Sequence, residues 1–318
     1  MKLYEIVIKP KSAFYTSLQG DTIFGNLCWQ IENAGFNLPD LLSDYAEKPF
    51  MIVSSAFYKN DKGGYLFNRP LLPSHFLFPD QTAANRKEND DKKNFIYDGS
   101  NTLKLNGLNW YNDFTPVKRT NAQHNTINRQ TGTTGEGEFA PFSQEVYFFD
   151  ESVNLVIFAA IDESRFSKEK LEIIFENLGK TGYGKKASIG YGQFEVLEVK
   201  ESVILREAAE AIKNSGKYNS LYALSPFVPS EDNKRDYKIY FDPITKYGKH
   251  GAGLAKSSNP FKKPVIMANT ASVLSFQNAS AEKFPLYVGA AVKNVSDANP
   301  ETVVQGYSLV LPCYLEVK

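Results

Sequence analysis

Apolar positions in this chain change their spacing repeatedly, and each change marks an element boundary. Leu3 to Ile8 is an apolar run rich in Ile, Val and Tyr, closed by Pro10, and predicts a strand. Ile23, Phe24, Leu27, Cys28 and Ile31 then recur at helical spacing, with Asp21 or Thr22 placed to cap the helix. Leu38 to Tyr45 predicts a short helix and Phe50 to Tyr58 a strand, while Arg69 to Pro73 is extended and fixed by its prolines. Val153 to Ile161 is almost continuously apolar, the pattern of a buried strand. Ser167 caps a predicted helix from Lys168 to Leu178, whose Leu171, Ile174, Phe175 and Leu178 share one face. Tyr191 to Val199 predicts the next strand.

Strand–helix–strand, repeated as strand–helix–loop–strand, is the ferredoxin-like or RRM-like plan of an α+β domain. It spans residues 1–199. From about residue 200 a second set begins and runs to 318. Glu207 to Lys213 predicts a helix, and Ser220–Leu224, Tyr237–Phe241, Val265–Ala268, Ser272–Phe276, Leu286–Val292 and Gln305–Pro312 predict strands. Within this set, Pro243 to Pro264 carries six basic or imidazole side chains and no acid. Gly248, Gly251 and Gly253 make it a flexible basic loop, either one that orders on RNA or on a partner, or a solubilising one.

An insertion at about 80–145 interrupts the first domain. Residues 80–113 are polar and weakly periodic, a long loop tacked to the body by Leu103, Leu105, Leu108 and Trp110. Lys118, Arg119, His124, Asn128 and Arg129 then gather around a Gly/Thr-rich tip, followed by Phe139, Phe142 and Phe148. This pattern fits an extended hairpin finger. Basic groups beside exposed aromatics suit RNA, whose phosphates are paired and whose unstacked bases are packed. A solvated hairpin with a flexible tip fits the same residues.

The richest stretch is Gly182 to Phe194. Gly182, Gly184, Gly190 and Gly192 form two Gly-aromatic-Gly pairs, with Tyr183 and Tyr191 at their centres, around Lys185, Lys186 and Ser188. Successive peptide N–H groups in such a turn can form a concavity for anions. Lysines and a hydroxyl there make it a candidate cradle for an RNA backbone. The plainer reading is a turn joining a helix to a strand. Gly20, Asp21 and Thr22 open the first helix and offer a similar choice between cap and phosphate contact. A nucleotide-binding P-loop is excluded, because Lys186 stands where that motif needs Ser or Thr and the loop follows a helix instead of a strand.

Composition limits what these motifs can do. The chain has 318 residues, with 36 Lys+Arg against 36 Asp+Glu, so any nucleic acid must be held by local patches. The two cysteines, Cys28 and Cys313, have no metal spacing and read as buried thiols. No apolar run reaches the roughly 18 residues of a membrane span, and no secretory pattern precedes the first strand, so a cytosolic protein is expected. His75, His124 and His250 are the only histidines. His124 and His250 fall in predicted flexible loops, poor places for a catalytic base.

Four segments resemble the RAMP superfamily of CRISPR proteins and, within it, the Csm subunit four family of type III-A effectors. They are Ser17 to Gly25 with Trp29; Arg119 with Ile127 to Gly132 and Glu145; the glycine stretch; and the end of the chain from Pro264 to Met267, through Gly289, to Val304–Pro312. One departure is Gln305, where a His or similar polar residue is expected before Gly306. The resemblance implies two ferredoxin-like domains and a non-catalytic subunit without a cofactor. It also implies that the protein holds the 5′ repeat-derived tag of the crRNA. Its implied partners are a large polymerase-palm subunit and a backbone RAMP subunit. The sharpest alternative is an endoribonuclease of the same superfamily that processes CRISPR precursor RNA.

Overall fold

A computed structural model describes residues 1–60, 63–111, 117–213, 218–230, 237–276 and 286–316. In chain order the first part runs β1 (Lys2–Pro10), α1 (Gly20–Asn33), α2 (Leu38–Leu42), β2 (Met51–Lys59), β3 (Tyr65–Asn68), α3 (Ser74–Leu77), α4 (Arg86–Asp91), β4 (Asn94–Tyr97), β5 (Leu103–Lys104), β6 (Asn109–Tyr111), β7 (Val117–His124), β8 (Phe142–Phe149), β9 (Asn154–Ile161), α5 (Lys168–Thr181) and β10 (Phe194–Glu201). The rest runs α6 (Val203–Lys213), β11 (Ser220–Ala223), β12 (Tyr237–Tyr240), β13 (Pro243–Lys246), β14 (Val265–Ala268), β15 (Val273–Phe276), β16 (Tyr287–Gly289) and β17 (Tyr307–Tyr314).

Strands β10, β1, β9 and β2 lie side by side in that order, each antiparallel to its neighbour. This is the strand order of a ferredoxin-like sheet, with α1 and α5 as its two helices. Both helices bury the residues that helical spacing marks: Ile23, Phe24, Leu27 and Ile31 on α1, and Leu171, Ile174, Phe175 and Leu178 on α5. Each such side chain contributes about 1.5–3 kcal/mol on leaving water. Ser167 caps α5 as expected, its hydroxyl accepting from the Lys170 N–H. Helix α1 differs from expectation: its N-cap is Gln19, without a side-chain cap.

The sheet continues through β3, β4 and β6 to seven strands among the described residues. The polar stretch at 80–113 is therefore not one long loop. Phe95 of β4 is fully buried and packs 5.8 Å from the Phe67 ring of β3. Leu103, Leu105 and Leu108 are buried as predicted. β5 leaves this sheet altogether and pairs in parallel with β17 of the other lobe.

The second sheet has the order β12, β15, β11, β17, β16. The stretch 243–264 corrects its reading as a flexible loop. β13 pairs with β14, and Lys249 bridges Phe261. His250 is buried, with Nε2 2.7 Å from Ser296 Oγ. Of the thiols, Cys313 is buried on β17 and Cys28 half-buried on α1, where burial pushes its pKa up to about 12.

The two sheets share one continuous apolar core, into which Tyr222, Leu224, Val273, Leu309 and Leu311 of the second lobe all enter. A register shift between Val53 and Ala56 frees β2 to bond across the seam. There the Ser55 N–H donates to Leu224 O at 2.9 Å, and Tyr222 OH donates to Asn68 O at 2.8 Å. Gln305 makes both of its amide bonds to Val53: Nε2 donates to the carbonyl at 2.8 Å and Oε1 accepts from the N–H at 2.9 Å. An amide on both groups of one extended residue takes the place of a missing neighbour strand.

Candidate nucleic-acid interface

Helix α5 ends where Gly182 turns at φ 92° and its N–H returns to Leu178 O. Tyr183 then drives the loop inward. Its ring is fully buried, and its hydroxyl donates to Ser17 O at 2.7 Å. Burial raises its pKa well above the ordinary tyrosine value. Gly192 lies against this residue at φ 73°, so close that a Cβ would sit 2.2 Å from Tyr183 O. Only glycine meets both the dihedral and the gap. Gly184 also has positive φ and abuts Thr16. Gly182, Gly184 and Gly192 therefore serve the folding of the loop. Of the four glycines, Gly190 faces open space.

Most of the loop's N–H groups have acceptors inside the protein. Gly184 donates to Asn26 Oδ1, Lys185 to Thr16 Oγ1, Tyr191 to Lys186 O and Gly192 to Ala13 O. Among the described residues, the exceptions within the loop are the N–H groups of Lys186, Ala187 and Ser188. The cradle expected across the whole stretch thus narrows to three consecutive donors. Lys186 enters this turn in the left-handed conformation at φ 62°. Lys185, Ser188 and Gly190 are exposed around it.

The finger meets the loop at Lys186. β7 and β8 form the predicted hairpin, in register from Val117 opposite Phe149 to His124 opposite Phe142. His124, the last residue of β7, brings Nε2 within 2.7 Å of Lys186 Nζ. The Lys186 ammonium also sits 4.2 Å from the centroid of the Tyr15 ring. Tyr15 in turn packs edge-on against Tyr191 at 4.8 Å, and Phe142 lies 5.3 Å from His124. His124 is therefore held by packing instead of lying in a flexible loop. Lys186 is the joint between loop and finger.

The remaining finger residues divide by role. Lys118 and Arg119 are exposed on β7, with the Arg119 guanidinium 5.4 Å from the Tyr147 ring centroid. Asn128 closes the tip turn: its carbonyl accepts from Gly132 N–H and its side-chain oxygen from Gln130 N–H. Arg129 projects from that tip beside Ile127, which is 60% exposed.

The opening of α1 lies close by, but its residues are occupied. Gly20 is buried, and a Cβ there would fall 2.5 Å from Val53 O and 2.7 Å from Ser225 Cβ. Asp21 pairs with Lys246 at 2.9 Å and accepts from Thr22 Oγ1. The glycine thus allows the close packing of the two lobes, and the carboxylate is held by a lysine of the second lobe. Thr22 is half-buried, and its carbonyl accepts from Asn26, the residue that holds Gly184.

Sequence reasoning missed the strap from Ser12 to Thr16. Ala13 O and Thr16 Oγ1 hold the glycine loop, and Phe14 exchanges backbone hydrogen bonds of 3.0 and 2.8 Å with Tyr147 of the finger. The only signal it left was the Phe14–Tyr15 pair, too short to show a period.

A family model described as the RAMP superfamily matches residues 15–195, more than half of the chain. A comparison with curated proteins gave no match. Among solved structures, a chain of the Csm3-Csm4 subcomplex in the type III-A CRISPR-Cas interference complex superposes with a TM-score of 0.61 at 16% identity, covering 98% of this chain and 99% of that one. A chain of the Csm1-Csm4 cassette in complex with cA4 gives 0.63 at 15% identity, covering 99% and 100%. At such identities the likeness is one of fold, and it extends over both lobes. Strand order and family match agree: the chain belongs to the RAMP superfamily.

Proposed function

We propose that the protein is a guide-RNA-binding, non-catalytic subunit of a type III-A CRISPR effector. In this reading it holds the 5′ tag of the crRNA along the glycine loop and the inner side of the finger. The carrying observation is the joint at Lys186, where His124, Tyr15 and Lys186 link finger and loop into one surface. Three unmatched N–H groups, Lys185 and Ser188 lie on its loop side; the finger contributes the exposed Lys118, Arg119 and Arg129, with Lys118 and Arg119 on opposite faces of the ribbon. Backbone N–H groups and cations bind phosphates, and the half-buried Tyr191 and exposed Phe142 offer rings on which bases can stack. The structurally similar chains come from complexes of Csm4 with Csm3 and with Csm1. A backbone RAMP subunit and a large polymerase-palm subunit are accordingly the partners proposed here. The expected compartment is the cytoplasm.

The test is retention of RNA by the complex assembled with those partners. Replacing Lys185, Lys118 and Arg129 by Ala should lower the salt slope of RNA retention by about two to three units, roughly one per lost phosphate contact. An unchanged slope with intact assembly would reject this surface as the RNA path. The endoribonuclease reading gains one observation, the fixed His124 beside Lys186, since a general base must be held in place. Metal-free incubation with repeat RNA separates the two: cleavage lost by about 100-fold in His124→Ala would favour the nuclease.

A further inference from the structure

A second concave site lies between the lobes, where α1 and α2 face the loops at 250–262 and 299–303. It is a cavity of ≈ 170 Å³. Trp29, Leu42, Leu254 and Val303 give it apolar walls, and Lys262 is its one cation. The Lys262 stem crosses Gly248 so closely that a Cβ at 248 would lie 2.9 Å from Lys262 Cδ, so the stem is packed against that backbone.

Three lysines of this lobe have a carboxylate: Lys246 has Asp21 at 2.9 Å, Lys263 has Asp297 at 3.1 Å and Lys293 has Glu47 at 3.3 Å, while Lys249 lies over the Phe261 ring. Among the described residues, the Lys262 side chain has neither an ion pair nor a hydrogen bond. Burial, its largest influence, lowers its pKa; Cys28 and Asp21 act the other way. Neither neighbour supplies a counterion. The Cys28 thiol is pushed up to about 12, so it stays neutral near pH 7, and Asp21 already serves Lys246. An ammonium without an acceptor in an apolar wall is costly, and an anion that fills the gap is bound by the free energy so recovered.

The walls select among anions. Glu32 and Glu301 stand exposed at the lip and oppose a dianion such as phosphate. A cavity of about 150 Å³ takes up benzene; this one is of similar size, and with His250, Asn299 and Thr302 beside its apolar residues it has room for a compact apolar body with a single charged head.

We propose that this pocket binds a small monocarboxylic acid, its carboxylate on Lys262 and its apolar body between Trp29 and Leu254. The proposal is independent of the RNA surface, which uses other residues.

The experiment is calorimetric titration of the full chain with benzoate up to about 10 mM, and in parallel with inorganic phosphate. Saturable binding of benzoate, and none of phosphate, is expected. Lys262→Met should weaken benzoate at least about tenfold, the loss typical of a charge-assisted hydrogen bond. Its melting temperature should hold, since no partner is stranded. Gly25 lines the pocket on α1 and a Cβ there meets nothing within 4 Å, so Gly25→Leu should fill the space and abolish binding in a folded protein. Absence of benzoate binding to the wild type would overturn the proposal, as would equal binding by Lys262→Met or by a folded Gly25→Leu. Binding that emerges only in Glu32→Gln/Glu301→Gln would overturn it too, showing that a lip glutamate is the true partner of Lys262.

Discussion

Replacing Gln305 by Leu tests how the lobes are joined. Gln305 and Val53 are both fully buried, and the two hydrogen bonds between them use the whole amide. Leucine has a similar volume, so the change strands one N–H and one C=O without opening a large cavity. Each buried group left unmet costs about 1–3 kcal/mol, offset in part by the apolar gain, for a net loss of about 2–4 kcal/mol. With an unfolding entropy of about 2.1 cal/mol/K per residue, a chain of this length should melt roughly 3–6 °C lower. Gln305→Glu sharpens the test. A protonated carboxyl offers one donor and one acceptor, so it can replace the amide. Its folded pKa would be raised by burial. Its stability is therefore retained below the unfolded value of about 4.3 and lost as pH rises through the folded one. Differential scanning calorimetry at several pH values measures both variants. A Gln305→Leu protein within about 1 kcal/mol of wild type would refute the assignment of the seam to this amide.

Other consequences can be measured separately. Burial, aided by Lys262, holds the His250 pKa below its ordinary 6.5. The unfolded chain therefore binds the extra proton first, and stability present above pH 6.5 should fall as pH drops from there to the folded value, a slope that His250→Asn removes in urea titrations. Gly190→Ala and Gly192→Ala both place alanine at positive φ, but only at Gly192 does a Cβ strike backbone. The first should cost about 1–2 kcal/mol and the second should abolish folding, as judged by soluble yield and circular dichroism. Comparable losses at both positions would contradict the packing argument. Lys186→Ala removes the contact between loop and finger, so hydrogen exchange in β7 and β8 should quicken by about tenfold or more while β1 and β9 stay protected.

The parts legible in the sequence were those with a period. The apolar faces of α1 and α5 repeat every three to four residues, and β9 is apolar after Asn154, so the ferredoxin-like plan is readable in the sequence. β4 and β6, of four and three residues, are too short to show a period within a stretch rich in Asn, Asp and Lys, and only Phe95 of them is fully buried. The loop at 243–264 looked mobile from its glycines and lysines, yet His250 is anchored by Ser296, 46 residues away. At the candidate interface, the glycines announced the loop, but most of their N–H groups turned out to be matched from within. The opening at Gly20 and Asp21 is ambiguous for a related reason: a helix start looks alike in sequence whether it faces an anion or a second lobe. Lys186 could not be recognised as a joint, because His124 and Tyr15 reach it only through tertiary packing.

The pairing of β5 with β17 sets an order in time. Leu103 and Lys104 take their places beside Cys313 and Tyr314. At synthesis rates of about 5–20 residues per second, the roughly 200 residues between them take on the order of 10–40 s to emerge. During that interval Leu103 and Leu105 lack the strand that covers them, and the Val53 amide lacks Gln305. The nascent first lobe therefore waits with an apolar edge open to water. That edge is a natural binding site for a chaperone, and one that disappears once the last strand docks.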